Sequence, residues 1–202
     1  MRTLIATVAL AAALWFVTFS LNWGNFWLKI SLSASTLAAI AWRQQPKRES
    51  STLRFNSGAV IPGLAAALAL YLVFRLGKSL ATILLPFADH QIGGIYARGT
   101  DTPSWLIVGL LLLVTGPAEE LYWRGYLQKN LMARLGSWQG WLLGTAIYAG
   151  VHVCSLNFML VAAAAIAGAF WGALYWKLDN LAPVIVSHAV WSAVIFAVFP
   201  MA

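Results

Sequence analysis

Two adjacent carboxylates follow a long apolar run, and they are the first residues in this chain that could do chemistry. Glu119 and Glu120 come five and six residues after Val114, where the run LIVGLLLLV ends, and Arg124 comes four residues after Glu120. Residues four apart share a face of a helix, so Glu120 and Arg124 can form an ion pair. An ionisable group inside a membrane costs roughly 2.5–3.5 kcal/mol on insertion scales, so it needs a partner or a function.

Two of the three histidines also lie in apolar segments. His152 lies in AIYAGVHVCSL and His188 in APVIVSHAVWSAV, and each has a hydroxyl four residues away, on Tyr148 and Ser192. A carboxylate level with an imidazole is suited to activating water as a general base. A second imidazole and a hydroxyl can stabilise the oxyanion of a tetrahedral intermediate. The reaction class indicated is peptide hydrolysis within or beside a membrane.

Each of these residues also has a structural interpretation. Glu120 and Arg124 could form a plain ion pair, and Glu119 could be a solvated acid at a helix end. A single histidine in a membrane helix often makes interhelical hydrogen bonds. The chemical interpretation therefore depends on several groups meeting in one place.

The sequence lacks several common hydrolase motifs. There is no HExxH zinc helix and no GxSxG nucleophile turn. The single cysteine, Cys154, excludes an intrachain disulfide and a site made of several cysteines. Two histidines with one or two glutamates could still bind zinc with an open position, so the question of a metal stays open here.

Composition indicates the elements that must position these groups. The chain has 202 residues, of which 61% are hydrophobic and 9% are charged, whereas soluble domains carry about 25% charged residues. Backbone polar groups in lipid favour helices, so we predict an all-α, polytopic transmembrane helical bundle with about seven spans. The predicted spans are 4–21, 26–42, 59–76, 103–120, 138–155, 158–176 and 182–200.

The chain divides into two parts on this prediction. Residues 1–102 form N-terminal transmembrane helices and an outer interfacial segment, in which the stretch from Lys78 to Asp101 is too polar to span. Residues 103–202 form a helical core that carries the candidate residues. A hairpin turn near Gly136 would bring Glu119 and His152 to the same depth, because they are about equally far from it along the chain. His188 would enter the same region from the last span.

Basic residues set the expected orientation. The net charge is +7, and nine of the thirteen basic residues fall on one predicted side, four of them in the stretch RQQPKRESSTLR. The positive-inside rule places that side, with the N-terminus, in the cytoplasm. We therefore expect a multi-pass protein of the cell (inner or plasma) membrane. No basic patch is interleaved with exposed aromatics, so nucleic acid is not an expected partner.

Three motifs in order resemble the CPBP family of intramembrane proteases, which includes type II CAAX prenyl endopeptidases and bacteriocin-processing or abortive-infection-like proteins. EELYWR, from Glu119 to Arg124, matches the family's EExxxR motif. Tyr148 to His152 matches an aromatic residue followed by xxxH, and HAVWS, which begins at His188, matches Hxxx followed by a small polar residue. The family often has Asn where this chain has Ser192.

The resemblance implies a role for each matched residue. Glu119 would activate water together with His152, and His188 with Ser192 would hold the oxyanion. Glu120 and Arg124 would brace the site, with Tyr148 as the aromatic residue of the second motif. The family has been described both as metal-dependent and as glutamate-type. We favour the glutamate type and keep zinc as an alternative.

The implied substrate is a membrane-anchored or hydrophobic peptide or protein, with the lipid bilayer as the surroundings. An alternative is a non-enzymatic membrane immunity or partner-binding protein of the same fold, in which the polar cluster is structural. A proton-coupled transporter is disfavoured because the sequence shows no inverted repeat.

Overall fold

The computed structural model describes residues 2–44 and 53–201 and places nearly all of them in helices. We number the eight helices of these two ranges in chain order, and the all-α prediction is confirmed. They are α1 (Arg2–Ser20), α2 (Phe26–Gln44), α3 (Ser57–Leu84), α4 (Ala88–Tyr96), α5 (Ser104–Leu135), α6 (Ser137–Val151), α7 (Phe158–Leu178) and α8 (Leu181–Val198). The basic residues Lys47 and Arg48, which support the predicted orientation, lie outside the described residues.

Five of the described helices are long and apolar enough to cross a membrane: α1, α3, α5, α7 and α8. The other two predicted spans, 26–42 and 138–155, are also helical. However, α2 carries several polar side chains, and α6 has 15 residues before a 3₁₀ turn at His152–Ser155. A helix needs about 20 apolar residues to cross the hydrocarbon core. The chain is therefore a membrane protein whose bundle combines five long apolar helices with two less apolar or shorter ones.

The third helix is longer than the predicted span 59–76, because α3 continues for 28 residues to Leu84. Lys78 therefore lies within a helix, and the predicted outer segment is reduced to α4 and its flanking turns. The helix ends at Leu85, which has an extended backbone. Leu85 precedes Pro86, and the residue before a proline is disfavoured in the helical region.

The fourth predicted span, 103–120, continues as helix to Leu135, where Gly136 with φ of 95° turns the chain into α6. Pro117 lies inside α5, and a proline within a helix removes one backbone hydrogen bond and clashes with the preceding turn. The helix accommodates it with a widened, π-helical turn at Leu111–Thr115, where the Gly116 amide donates to the Leu111 carbonyl five residues earlier. A second π-helical segment, Trp123–Gln128, follows the two glutamates.

The last helix is the centre of the bundle. In α8, 67% of residues are buried, against 28–39% in the other four long helices. It packs against α3 and α5, and glycines make two of these contacts very close. A Cβ on Gly63 of α3 would lie 2.8 Å from Val186 Cγ1, and a Cβ on Gly116 of α5 would lie 2.9 Å from Ala189 Cα. Helices from the N-terminal part therefore complete the core around α8.

Candidate active site

A cavity of about 370 Å³ lies inside the bundle, and five of the seven predicted site residues line it. These five are Glu119, Tyr148, His152, His188 and Ser192. The remaining walls are mainly apolar and come from α1 to α5, α7 and α8. The three predicted motifs, which are separated along the chain, therefore contribute side chains to one space.

Glu120 is the centre of a buried ionic network beside this cavity. Its Oε1 atom accepts from Arg124 Nη1 at 2.7 Å and from His188 Nδ1 at 2.6 Å. Glu120 is 0% exposed, Arg124 2% and His188 5%. The expected Glu120–Arg124 ion pair is present, and His188 joins it from another helix. With Nδ1 bonded to Glu120, Nε2 is the ring nitrogen of His188 that can meet a ligand.

The helix α7 holds this network from the other side. Trp171 stacks on His188 with ring centroids 3.9 Å apart and donates from Nε1 to Ser187 Oγ at 3.1 Å. Arg124 Nη2 donates to the Gly168 carbonyl at 3.2 Å. Sequence reasoning missed Trp171, because a tryptophan in an apolar helix carries no polar signal of its own.

Glu119 lies on the cavity wall and has different surroundings from Glu120. It is 6% exposed, and its Oε2 atom accepts from the Tyr148 hydroxyl at 3.1 Å. Tyr148 in turn packs under Arg124, whose Cζ lies 4.7 Å from the ring centroid. A cation over a tyrosine face is attracted by the ring quadrupole. Tyr148 therefore connects Glu119, on the cavity wall, with the buried ionic network.

His152 follows α6, in the 3₁₀ turn, and its two ring nitrogens have different partners. Nδ1 lies 2.7 Å from the Tyr148 carbonyl, and Nε2 lies 3.1 Å from Nε1 of Trp15 on α1. A carbonyl accepts and an indole N–H donates, so this pattern assigns the neutral imidazole with its proton on Nδ1. Trp15 was also missed, because it is one of eleven tryptophans in the chain.

Gly116 is a third residue that the sequence analysis did not single out. A Cβ at this position would meet Ala189 Cα, a backbone atom of the residue that follows His188. Close approach of α5 and α8 is therefore possible because this residue is glycine. The contact brings His188 within reach of Glu120. Ser192, one turn after His188, is buried and also lines the cavity.

The side chains that could bind zinc have protein partners in this structure. Across residues 2–44 and 53–201, no group of three or more His, Cys, Asp or Glu side chains is arranged to hold a metal ion. Both nitrogens of His152 already have protein partners, and Nδ1 of His188 is bonded to Glu120.

Comparison with known proteins identifies the family. Residues 101–194 match the family model described as type II CAAX prenyl endopeptidase Rce1-like. No curated protein and no solved structure gives a match. The matched range contains all three motifs and does not cover α1 to α4. Residues 101–194 therefore match an Rce1-like domain, and this match supports the CPBP-family intramembrane protease predicted from the motifs.

Proposed function

We propose that the chain is a glutamate-type intramembrane endopeptidase that hydrolyses a peptide bond of a membrane-associated substrate with activated water. The observation that carries this proposal is the shared cavity, into which Glu119, His152 and His188 all bring a side chain. A carboxylate and two imidazoles in an otherwise apolar space supply an acceptor for a proton and donors for an oxyanion. We place the activity in the cell membrane, towards its cytoplasmic side.

In the first step, a water molecule held by Glu119 attacks the carbonyl carbon of the substrate. The water oxygen forms a bond to that carbon, one water proton passes to the Glu119 carboxylate, and the π electrons of the carbonyl move to its oxygen. The Tyr148 hydroxyl, which donates to Oε2 of Glu119, holds the carboxylate in place. The Nε2 lone pair of His152 is the second acceptor for the water.

In the second step, the tetrahedral intermediate collapses. His188, whose Nδ1 is bonded to Glu120, donates a hydrogen bond from Nε2–H to the oxyanion, and the Ser192 hydroxyl donates a second one beside it. The oxyanion lone pair then re-forms the carbonyl, the carbon–nitrogen bond pair passes to nitrogen, and Glu119 gives its proton to the leaving amine. The serine reaches less far than an asparagine amide, so His188 carries the larger part of the oxyanion stabilisation.

The shape and lining of the cavity favour a hydrophobic substrate. Its volume falls within the range of roughly 300–1,000 Å³ that is usual for ligand sites. Phe26 and Trp27 of α2 and Phe74 of α3 are among the aromatic residues in its walls. An apolar peptide, or one that carries a lipid, would bury its surface there. A prenylated C-terminal tail is the first substrate to test, because the description of the matching family names a prenyl endopeptidase.

The test uses the full chain reconstituted in liposomes with two quenched fluorogenic peptides. One peptide ends in a farnesylated C-a-a-X sequence, and the other has the same cleavable sequence on a transmembrane anchor. We expect cleavage of at least one peptide by the wild type, with one ¹⁸O incorporated at the new carboxyl group in H₂¹⁸O. Glu119→Gln should abolish cleavage. The control Asp89→Asn removes an exposed carboxylate outside the cavity and should leave the rate unchanged.

Equal rates for the wild type and Glu119→Gln would overturn the assignment of the base. No cleavage of either peptide by folded wild type would favour the non-enzymatic alternative over the protease.

A further inference from the structure

The hydrogen bonds of His152 conflict with its proposed role in holding water. Nδ1 donates to the Tyr148 carbonyl, so the proton of the neutral ring is on Nδ1. Nε2 then has one lone pair, and the Trp15 indole N–H is bonded to it at 3.1 Å. A water molecule in the cavity would need the same lone pair. Trp15 and the water therefore compete for His152.

The contact with Trp15 is fixed by several neighbouring interactions between α1 and the turn at His152–Ser155. Trp15 is 0% exposed and packs edge-on against Trp123, with ring centroids 5.4 Å apart. One turn later on α1, the Phe19 ring lies 5.5 Å from the His152 ring, and Ser20 Oγ donates to the Cys154 carbonyl at 2.8 Å. The indole is thus held in place by the whole end of α1.

Phe19 also lines the cavity. The contacts between α1 and the turn at His152–Ser155 therefore reach the space where a substrate would enter. A substrate that fills the cavity must press on Phe19, and Phe19 and Trp15 lie one turn apart on the same face of α1. Movement of α1 would carry the indole away from Nε2. Residues 101–194, the part matched by the family model, do not include α1.

We propose that Trp15 is a positioning residue that acts through His152: its indole N–H occupies the water-binding nitrogen until substrate displaces it. This inference rests on the proposed function, because it gives a consequence for water activation. On this proposal, activation of water depends on α1, which lies outside the residues matched by the family model. Small peptides that do not fill the cavity would leave Trp15 in place and react slowly.

The test compares Trp15→Phe with a matched control. Trp15→Phe keeps an aromatic ring and removes the N–H. Trp123→Phe removes the corresponding atoms from the neighbouring indole, whose N–H has no hydrogen-bond partner among the described residues. Trp123 is equally buried, so the two variants lose similar packing.

The first readout is the ¹⁵N NMR signal of His152 in the full chain in micelles without substrate, assigned by its loss in His152→Gln. We expect Trp15→Phe to shift the Nε2 resonance towards that of a free lone pair, and Trp123→Phe to leave it near the wild-type position. Equal signals in all three proteins would overturn the inference. This readout needs no activity, so it can fail or succeed independently of the protease proposal.

The second readout is the rate of hydrolysis in liposomes. Loss of one hydrogen bond corresponds to about a two- to tenfold change. We expect Trp15→Phe to cleave a short, unanchored version of the peptide faster by that factor, with a smaller change for the anchored peptide. Slower cleavage of both peptides by Trp15→Phe but not by Trp123→Phe would contradict the proposed competition between Trp15 and water for His152. Equal rates for wild type and Glu119→Gln would reject the protease assignment instead.

Discussion

Glu119 and Glu120 are adjacent in the chain, but they belong to two regions with different physical character. Glu120 lies in a closed network, where one carboxylate oxygen accepts from both a guanidinium and an imidazole. Glu119 faces a cavity, and its hydrogen-bond donor is a neutral phenol. Both carboxylates are buried. The difference therefore lies in the charge of their partners.

On the proposed function, this difference would separate a structural role for Glu120 from a chemical role for Glu119. A buried charge without a partner is strongly destabilising, so Glu120, Arg124 and the ring of His188 depend on one another for stability. A carboxylate that must accept and return a proton cannot be held by a permanent cation without losing basicity. Arg124 pairs with Glu120, whereas Glu119 faces the cavity, where water and substrate would meet.

The largest effect should come from removing the negative charge of Glu119, the glutamate on the cavity wall. Glu119→Gln keeps the size of the side chain and its contact with Tyr148, but it removes the proton acceptor. Loss of a general base typically costs about 10²–10⁴ in rate, so we expect at least a hundredfold lower kcat in the liposome assay. The unfolding midpoint in micelles should change little.

The same substitution at Glu120 should affect stability more than the substitution at Glu119 does. Glu120→Gln should lower the unfolding midpoint more than Glu119→Gln does, because it leaves Arg124 without a countercharge. If the two amides are equally stable and equally inactive, the division between the two regions is wrong.

The second effect concerns the closed network. Arg124→Met should reduce the free energy of unfolding by about 3 kcal/mol, the lower end of the range for breaking a buried pair, since His188 stays bonded to the Glu120 carboxylate. Denaturant titration in mixed micelles measures this change. The double variant Glu120→Leu with Arg124→Met should recover part of the loss, because apolar replacement of a whole buried pair is often close to neutral. A single variant as stable as the wild type would show that the pair contributes little.

The third effect concerns the close approach of two helices. A methyl group at Gly116 would meet backbone atoms of Leu111 and Ala189 at 2.9 Å, and backbone cannot easily move aside. Overpacking of this kind costs about 1–3 kcal/mol, and it should also move His188 away from Glu120. We expect Gly116→Ala to lower both the unfolding free energy and the hydrolysis rate.

Gly109 is the matched control in the same helix, because a Cβ there meets nothing within 4 Å. Gly109→Ala should be neutral or slightly stabilising, by up to about 1 kcal/mol from helix propensity. Equal losses in both variants would point to a general intolerance of α5 rather than to the contact with α8.

The last effect concerns the Tyr148 hydroxyl, which connects the two regions. Tyr148→Phe removes the hydrogen bond to Glu119 and keeps the ring under Arg124. A hydrogen bond to a charged group contributes about 1.5–3 kcal/mol, so the rate should fall by about tenfold or more, yet by less than in Glu119→Gln. Kinetics at saturating substrate separate this change in kcat from a change in KM. A rate equal to that of the wild type would show that Glu119 needs no support from Tyr148.

The sequence predicts the helical bundle and the residues that bring charge into it, because charge is conspicuous in an apolar chain. Glu119, Glu120 and His188 each need a partner or a function in an apolar span, and the three spaced motifs indicated the family. It does not predict the length of α5, since the apolar pattern ends at the two glutamates, whereas the helix continues to Leu135.

The aromatic contacts could not be predicted for a different reason. Trp15 reaches His152 across 137 residues, and Trp171 stacks on His188 from another helix. Tryptophan is common in membrane helices, particularly at the interfaces, so its presence gives no signal. The contacts of these two residues depend on tertiary packing, which the sequence pattern of a single helix does not predict.

The π-helical turn before Gly116 sets the angle at which the two carboxylates leave the helix. A widened turn holds about one residue more than a regular turn, and one residue corresponds to about 100° of rotation around the axis. Without that extra residue, the same sequence would direct Glu119 and Glu120 towards other neighbours. A different side chain would then face the cavity in place of Glu119. The different surroundings of the two glutamates therefore depend on helical phase, which is set several residues before either one.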